Sequence, residues 1–370
     1  MIHINLQMRS SLLFCLFIFP VLVAGQYKIT GKVLDSADKK SVPGATVFLA
    51  NASVGTATAV DGTFSLDNVH GGQYDLVVTM VGYTTFRKTI LINQDISLPD
   101  IILSSKSIAL NEVKIRPDPN WARNYEMFRQ EFLGSSDYVA KCKILNPELL
   151  YLHFDADSGK LTASSSDFIV IENKALGYRV KYQLSEFTKD YRHGYVYFAG
   201  TAFFEGLPGG KSQQERWAKN RLKVYMGSSM HFLRSVVANQ LPQNGFKVLR
   251  LIRKANPDYK TGGDKQYFES LVTTPLTIVD FVNLTDQKGL YALTFKDCLY
   301  VMHSKKPVKN DDVDMTDVTP VTTTLIFDKP YALFDKNGIF TDPSAITFSG
   351  EWGKSRMAEM LPVDYKPPAK

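Results

Sequence analysis

A mainly β protein in two parts is predicted by three features of the sequence. Residues 27–103 carry short apolar alternations separated by Pro-Gly, Asp-Gly and Gly-Gly pairs. Residues 149–204 carry longer alternations of the same period. Helical spacing is confined to two stretches, at 121–134 and 213–240. Period 2 with turn punctuation is the pattern of strands with one buried face, and period 3.6 that of helices. The expectation is an N-terminal seven-stranded β-sandwich at residues 26–104 and a linker at 105–119. A β-rich α+β domain with a helical pair follows at 120–370. A chain of 370 residues is long for one core and comfortable for two.

Before the sandwich, residues 1–25 read as a secretory signal peptide. One arginine, Arg9, precedes an apolar run over 12–23. Val23 and Gly25 then stand at the −3 and −1 positions of a cleavage before Gln26. The run is short for a membrane span. Cys15 lies inside it after Phe14, unlike a lipoprotein cysteine. No later stretch approaches 18 continuous apolar residues, so no transmembrane span is expected in the mature chain. The expected location is outside the cytoplasm, in the periplasm or associated with the outer membrane.

Within the sandwich, Ile29, Gly31 and Val33 alternate with polar neighbours as a first strand. Pro43-Gly44 supplies a fixed φ followed by a residue tolerant of positive φ. Strands then follow over 45–50 and 56–59, Asp61-Gly62 makes a hairpin, and Phe64 and Leu66 share a face. After Gly71-Gly72, Tyr74, Leu76, Val78 and Met80 share one face of the longest strand. Gly82-Tyr83 turns the chain, and runs at 86–92 and 96–103 complete the unit.

These residues also carry a likeness. Gly31-x-Val33-x-Asp35, Val42-Pro43-Gly44-Ala45-Thr46-Val47, the run GTATAVDGTFSL at 55–66 and YDLVVTMVGY at 74–83 resemble the carboxypeptidase regulatory-like domain. That domain is a prealbumin-like sandwich found at the N-terminus of many exported bacterial proteins, TonB-dependent outer-membrane receptors among them. The resemblance implies a fold and no peptidase activity, because in carboxypeptidases the regulatory module is appended to a separate zinc domain. Such a zinc site needs His-x-x-Glu and a distant His. Three residues after His70, His153, His193, His231 and His303 stand Gln73, Ala156, Val196, Arg234 and Lys306, and no His-Glu-x-x-His occurs. Neither a metal nor a cofactor is expected. The linker's Leu110-Asn111-Glu112-Val113 is similar to the segment leading into the plug of those receptors, but about 250 residues follow it, too few for plug and barrel together.

In the second region, Trp121, Tyr125, Phe128 and Phe132 line one face of a helix ending near Gly134. Strands are expected at 149–154, 161–165, 168–171, 178–187 and 195–204, as a meander of long hairpins. Asp155, Asp157 and Gly159 resemble part of a calcium loop, but the later ligands are missing, so an ordinary turn is expected. Residues 213–240 read as two helices broken at Gly227, with Ser228 or Ser229 capping the second. Further strands are expected at 246–253, 276–282, 290–303, 322–327, 332–334 and 345–348. A polar loop at 255–270 and an acidic loop at 310–317 intervene, and the segment 350–365 is apolar enough to dock on the body. Segments at 173–180, 231–234 and 361–365 are similar to the partner half of proteins called carboxypeptidase-like regulatory domain-containing. That likeness implies an architecture and no catalytic residues.

Ordinary globular composition (44% hydrophobic, 22% charged) argues against disorder. A net charge of +6, with Lys and Arg scattered, argues for a solvated surface and against a nucleic-acid partner. Cys142 and Cys298 are compatible with a disulfide or with two buried thiols, since spacing does not bring their Cβ atoms together. The candidate site is the 228–234 segment. A helix N-terminus offers free N–H groups to an anion, and Ser228, Ser229, His231, Arg234 and Arg221 are near it in sequence. No Gly-x-Ser-x-Gly elbow frames the serines as nucleophiles. The expected function is a non-enzymatic binding or adaptor role in the cell envelope, with another envelope or outer-membrane protein or a glycan as partner. The alternative is a glycan-acting hydrolase whose paired carboxylates come from distant strands.

Overall fold

The computed structural model describes residues 26–106, 119–260, 266–287, 289–304 and 321–368. The signal peptide with Cys15, the linker residues 107–118 and the acidic loop at 310–317 lie outside the described residues.

The sandwich has eight strands: β1 (Gln26–Asp35), β2 (Thr46–Leu49), β3 (Gly55–Ala57), β4 (Thr63–His70), β5 (Gly72–Thr79), β6 (Phe86–Ile92), β7 (Ile96–Ser97) and β8 (Ile101–Leu103). Eight replaces the expected seven because the last run divides at Pro99, which has no N–H to give a ladder. Both halves of that run pair with β1 in parallel, while the other ladders are antiparallel. One sheet is ordered β4-β1-β7 with β8 also on β1, and the other β3-β2-β5-β6. Ile29, Val33, Val47, Leu49, Leu66 and Leu76 fill the space between them.

A second core forms beneath α1 (Trp121–Leu133), which ends at Gly134 as its spacing requires. The sheet under it contains β9 (Cys142–Ile144), β10 (Leu150–Asp155), β11 (Lys160–Ser165), β12 (Ile169–Asn173), β13 (Tyr178–Asp190) and β14 (Tyr195–Gly206). It is not a simple meander. β13 is long enough to pair with β12 along its first half, β11 along its second, and β14 along its whole length. Phe128 and Phe132 of α1 stack 4.8 Å apart, and Phe128 meets Phe187 of β13 edge-on at 4.9 Å.

The helical pair is α2 (Lys211–Tyr225) and α3 (Ser229–Val237). Trp217 of α2 is fully buried, with its indole N–H donating to the Lys174 carbonyl at 2.9 Å. Gly177 permits this approach, since a Cβ there would fall 2.2 Å from the indole.

A third core lies between α3 and two small sheets. The strands are β15 (Phe246–Ala255), β16 (Tyr267–Val272), β17 (Val282–Leu284), β18 (Leu290–Leu293), β19 (Cys298–His303), β20 (Val321–Phe327), β21 (Ala332–Asp335) and β22 (Ile346–Gly350). They are ordered β16-β15-β19-β20-β22 and β17-β18-β21. The expected strand at 276–282 is replaced by a 3-10 turn, Ile278–Asp280. A reciprocal cap explains the difference: the Asp280 carboxylate accepts from the Thr277 N–H and hydroxyl. Part of the expected polar loop at 255–270 instead forms β16, paired along β15.

The terminal segment joins the three cores. Trp352 packs in the third, Met357, Ala358 and Leu361 in the second, and Val363 in the sandwich. The sandwich is also docked sideways. Phe48 and Val77, on its outer face, form a small cluster with Phe203 of β14. The Asn51 N–H donates to the Ala202 carbonyl at 2.7 Å, and the Val363 N–H to the Asn51 carbonyl at 2.7 Å. Cys142 and Cys298 are buried in different places as free thiols.

Candidate functional site

The five side chains singled out at the α2–α3 corner are placed apart. Ser228 caps α3, its hydroxyl accepting from the His231 N–H at 3.2 Å. His231 is 5% exposed and packs between Tyr225 and Phe246. Its Nδ1 accepts from the Gly227 N–H at 3.1 Å, which leaves the neutral ring's proton on Nε2. Arg221 donates to the carbonyls of Leu176 and Gly177 and lies 4.0 Å over the Tyr178 ring. Arg234 donates to the carbonyls of Asn337, Val363 and Tyr365, all within 2.8 Å. Both guanidinium groups thus hold backbone segments together. Ser228 and Ser229 stand on the wall of a cleft, and Arg234 borders a separate pocket.

The cleft encloses about 550 Å³. Its lining includes Tyr195, Tyr197 and Phe198 from the start of β14, and Phe340 and Phe348 from the third core. The terminal segment supplies Arg356 and Glu359. Tyr195 is 42% exposed, so its ring is open to a ligand. Burial raises the Glu359 carboxyl above its ordinary value, helped by repulsion from Glu351 and opposed by the Ser355 hydroxyl and the Arg356 charge. Burial lowers the Arg356 guanidinium, opposed by Glu131 and Glu359. Asp328, also in the lining, accepts from the Thr347 hydroxyl at 2.6 Å.

These aromatic residues escape sequence reasoning because they come from three separate stretches. One local signal points to them. The run Tyr195-Val196-Tyr197-Phe198 is apolar on both faces, where a strand with one solvent face would alternate.

Among the described residues, no group of three or more His, Cys, Asp and Glu side chains is arranged to hold a metal. The Asp155 carboxylate is engaged within its own turn, accepting from the Asp157 N–H at 3.0 Å and the Ser158 hydroxyl at 2.6 Å.

Comparison with known proteins bears on the first part of the chain. Residues 29–115 match the family model of the CarboxypepD_reg-like domain. A search of curated proteins found no match. Solved structures resembling the chain include a type II cohesin–X-dockerin complex from Acetivibrio cellulolyticus. That match has 18% identity and a TM-score of 0.20, covering 21% of this chain and 58% of that chain. Another is a protein from Bacteroides uniformis described as carbohydrate binding, with 8% identity, 84% and 98% coverage and a TM-score of 0.19. A third is a membrane-associated protein of unknown function from Bacteroides fragilis, with 10% identity, 88% and 93% coverage and a TM-score of 0.19. Overlap at these TM-scores is too slight to inform function. Among the described residues, no helix is long and apolar enough to cross a membrane.

Proposed function

We propose that this chain, which carries a CarboxypepD_reg-like domain at residues 29–115, is a non-enzymatic binding protein of the cell envelope that takes a glycan into the aromatic cleft. Its organisation in this reading is a signal peptide at 1–25, the sandwich at 26–104, a linker at 105–119 and the ligand-binding body at 120–370. The observation that carries it is the gathering of rings and polar groups in the lining of one cleft. Sugar rings present C–H faces that pack on aromatic side chains, and hydroxyls that bond to groups such as Ser229, Asp328 and Arg356.

The test is calorimetric titration of the chain with a panel of soluble oligosaccharides, repeated on Tyr195→Ala and Tyr197→Ala. A binder is expected to lose about tenfold or more in affinity with either change, a loss of ~1.4 kcal/mol or greater. Tyr191→Ala, an exposed ring outside the cleft lining, is the control. Unchanged affinity in the cleft variants would move the ligand elsewhere. Export is tested separately by cell fractionation and N-terminal sequencing, with Gln26 expected as the first residue.

A second reading, hydrolysis, has one observation in its favour: Glu359 is raised toward the range of a general acid on the cleft wall. It requires a facing carboxylate, and Asp328 is the other acid of the lining. Release of reducing ends by the chain, abolished by Glu359→Gln, would favour it.

A further inference from the structure

A second pocket lies at the seam between the sandwich and the body, and we propose that it binds a tetrahedral oxyanion, the phosphate or sulfate group of a small ester or a lipid headgroup. It encloses about 340 Å³ where four pieces of chain meet. The β4–β5 turn supplies His70 and Gly71, α3 supplies Arg234, the turn after β21 supplies Lys336, and the terminal segment supplies Asp364 and Lys366.

Both ammonium groups border the pocket beside residues 70 and 71. Lys366 Nζ lies 3.4 Å from His70 Nδ1. Lys336 Nζ lies 3.1 Å from where a Cβ on Gly71 would stand. Lys336 is carried there by a rigid turn: the buried Asp335 carboxylate accepts from the Asn337 N–H at 3.0 Å and the Asn337 side-chain amide at 2.9 Å.

Three cations thus face one carboxylate, and that carboxylate is engaged elsewhere. Asp364 accepts from the Ser53 N–H at 2.9 and 3.1 Å and from the Ser53 hydroxyl at 2.6 Å. Among the described residues, no carboxylate forms an ion pair within 4 Å of Lys336 or Lys366, while the ion pairs recorded elsewhere involve other lysines. Arg234 uses three of its five N–H donors on carbonyls, so it is held in place while adding positive charge to the pocket. Like charges held together without a counter-ion repel one another. An oxyanion between the lysines would replace that repulsion with charge-assisted hydrogen bonds. Burial, and after it the Lys366 charge, hold His70 toward its neutral form, with Asp364 opposing them. The volume exceeds that of one tetrahedral ion, leaving room for the group that carries it.

The experiment follows the His70 ring resonances and the thermal midpoint of the chain during titration with inorganic phosphate, against sodium chloride of equal ionic strength. A saturable shift and a rise in midpoint are expected with phosphate alone. Lys336→Met/Lys366→Met is expected to weaken the apparent affinity at least tenfold, and Lys336→Arg/Lys366→Arg to retain it. Both lysines are exposed, so the folded state should survive, which circular dichroism checks. Co-sedimentation with phosphatidylcholine vesicles, with and without phosphatidic acid, separates the sources. Lysine-dependent capture by the acidic vesicles points to a headgroup, and phosphate binding without capture points to a small ester. No saturable response beyond chloride, or equal affinity in the double Met variant, would overturn the assignment.

Discussion

His303, at the corner between α2 and α3, shows what burial does to a titratable side chain. It is 6% exposed, its Nε2 has no hydrogen-bond partner, and His231 and Phe246 pack beside it at 5.7 and 4.7 Å. Gly227, at φ +82°, leaves the space, since a Cβ there would fall 2.6 Å from His303 Nδ1. Burial lowers the pKa below the ordinary 6.5, opposed by a backbone hydrogen bond to Asn244. The unfolded chain therefore takes up a proton near 6.5 that the folded chain resists. The stabilisation is present above that pH and is lost as pH falls through the lower folded value. The urea midpoint is expected to drop between about pH 7.5 and 5, with a shallower slope in His303→Phe. An identical slope in the variant would assign the effect to other groups. The thiols are a second case. Burial pushes Cys142 up to about 12 and raises Cys298, so both stay protonated and shielded. A chromogenic disulfide reagent is expected to leave both intact in the folded protein and to modify both once it is denatured.

Among the elements, β14 shows where reading a strand from its pattern stops. Its period and that of β13 place the hairpin, but not what covers its far side. In the structure Phe203 leaves its own sheet's core and lies tilted on Phe48, with ring centroids 5.0 Å apart. Gly55 makes room, since a Cβ there would sit 2.4 Å from the Phe203 ring. Phe203→Ala is expected to cost about 3 kcal/mol in denaturant unfolding. It should also raise hydrogen exchange in β2 and β5 while leaving α1 protected. No increase in exchange there would show that the cluster does not hold the sandwich. By contrast α1 was legible almost to the residue, because its aromatic stripe and its terminal Gly134 are local signals. The 276–282 stretch misled because its apolar content suits a strand, while a four-residue cap decides the matter.

Across the whole molecule, three cores are held to one another by the last stretch of described chain. Arg234 fixes that stretch through the Val363 and Tyr365 carbonyls, and Asp364 ties it to Ser53. The full chain is therefore expected to unfold in a single calorimetric transition. A version ending at residue 350 loses Trp352, Met357, Leu361 and Val363 from three cores at once. It is expected to unfold at lower temperature in every part, including the sandwich. A truncated chain whose sandwich melts at the original temperature would show that the segment merely covers the body.

What the residues determined by themselves was local. Turn dipeptides and alternation specify the sandwich, and helical spacing specifies three helices. Period 2 reports that a face is buried and is silent on its partner. Only the tertiary structure decided that residues 120–368 enclose two cores, that Val77 is buried on the outer face of the sandwich, and that rings from β14 and the third core face one cleft. The meeting of Lys336 and Lys366 with residues 70 and 71 around one pocket belongs to the same class. Each of these pairs residues far apart in the chain, and such contacts depend on how the bodies pack, which no local pattern encodes.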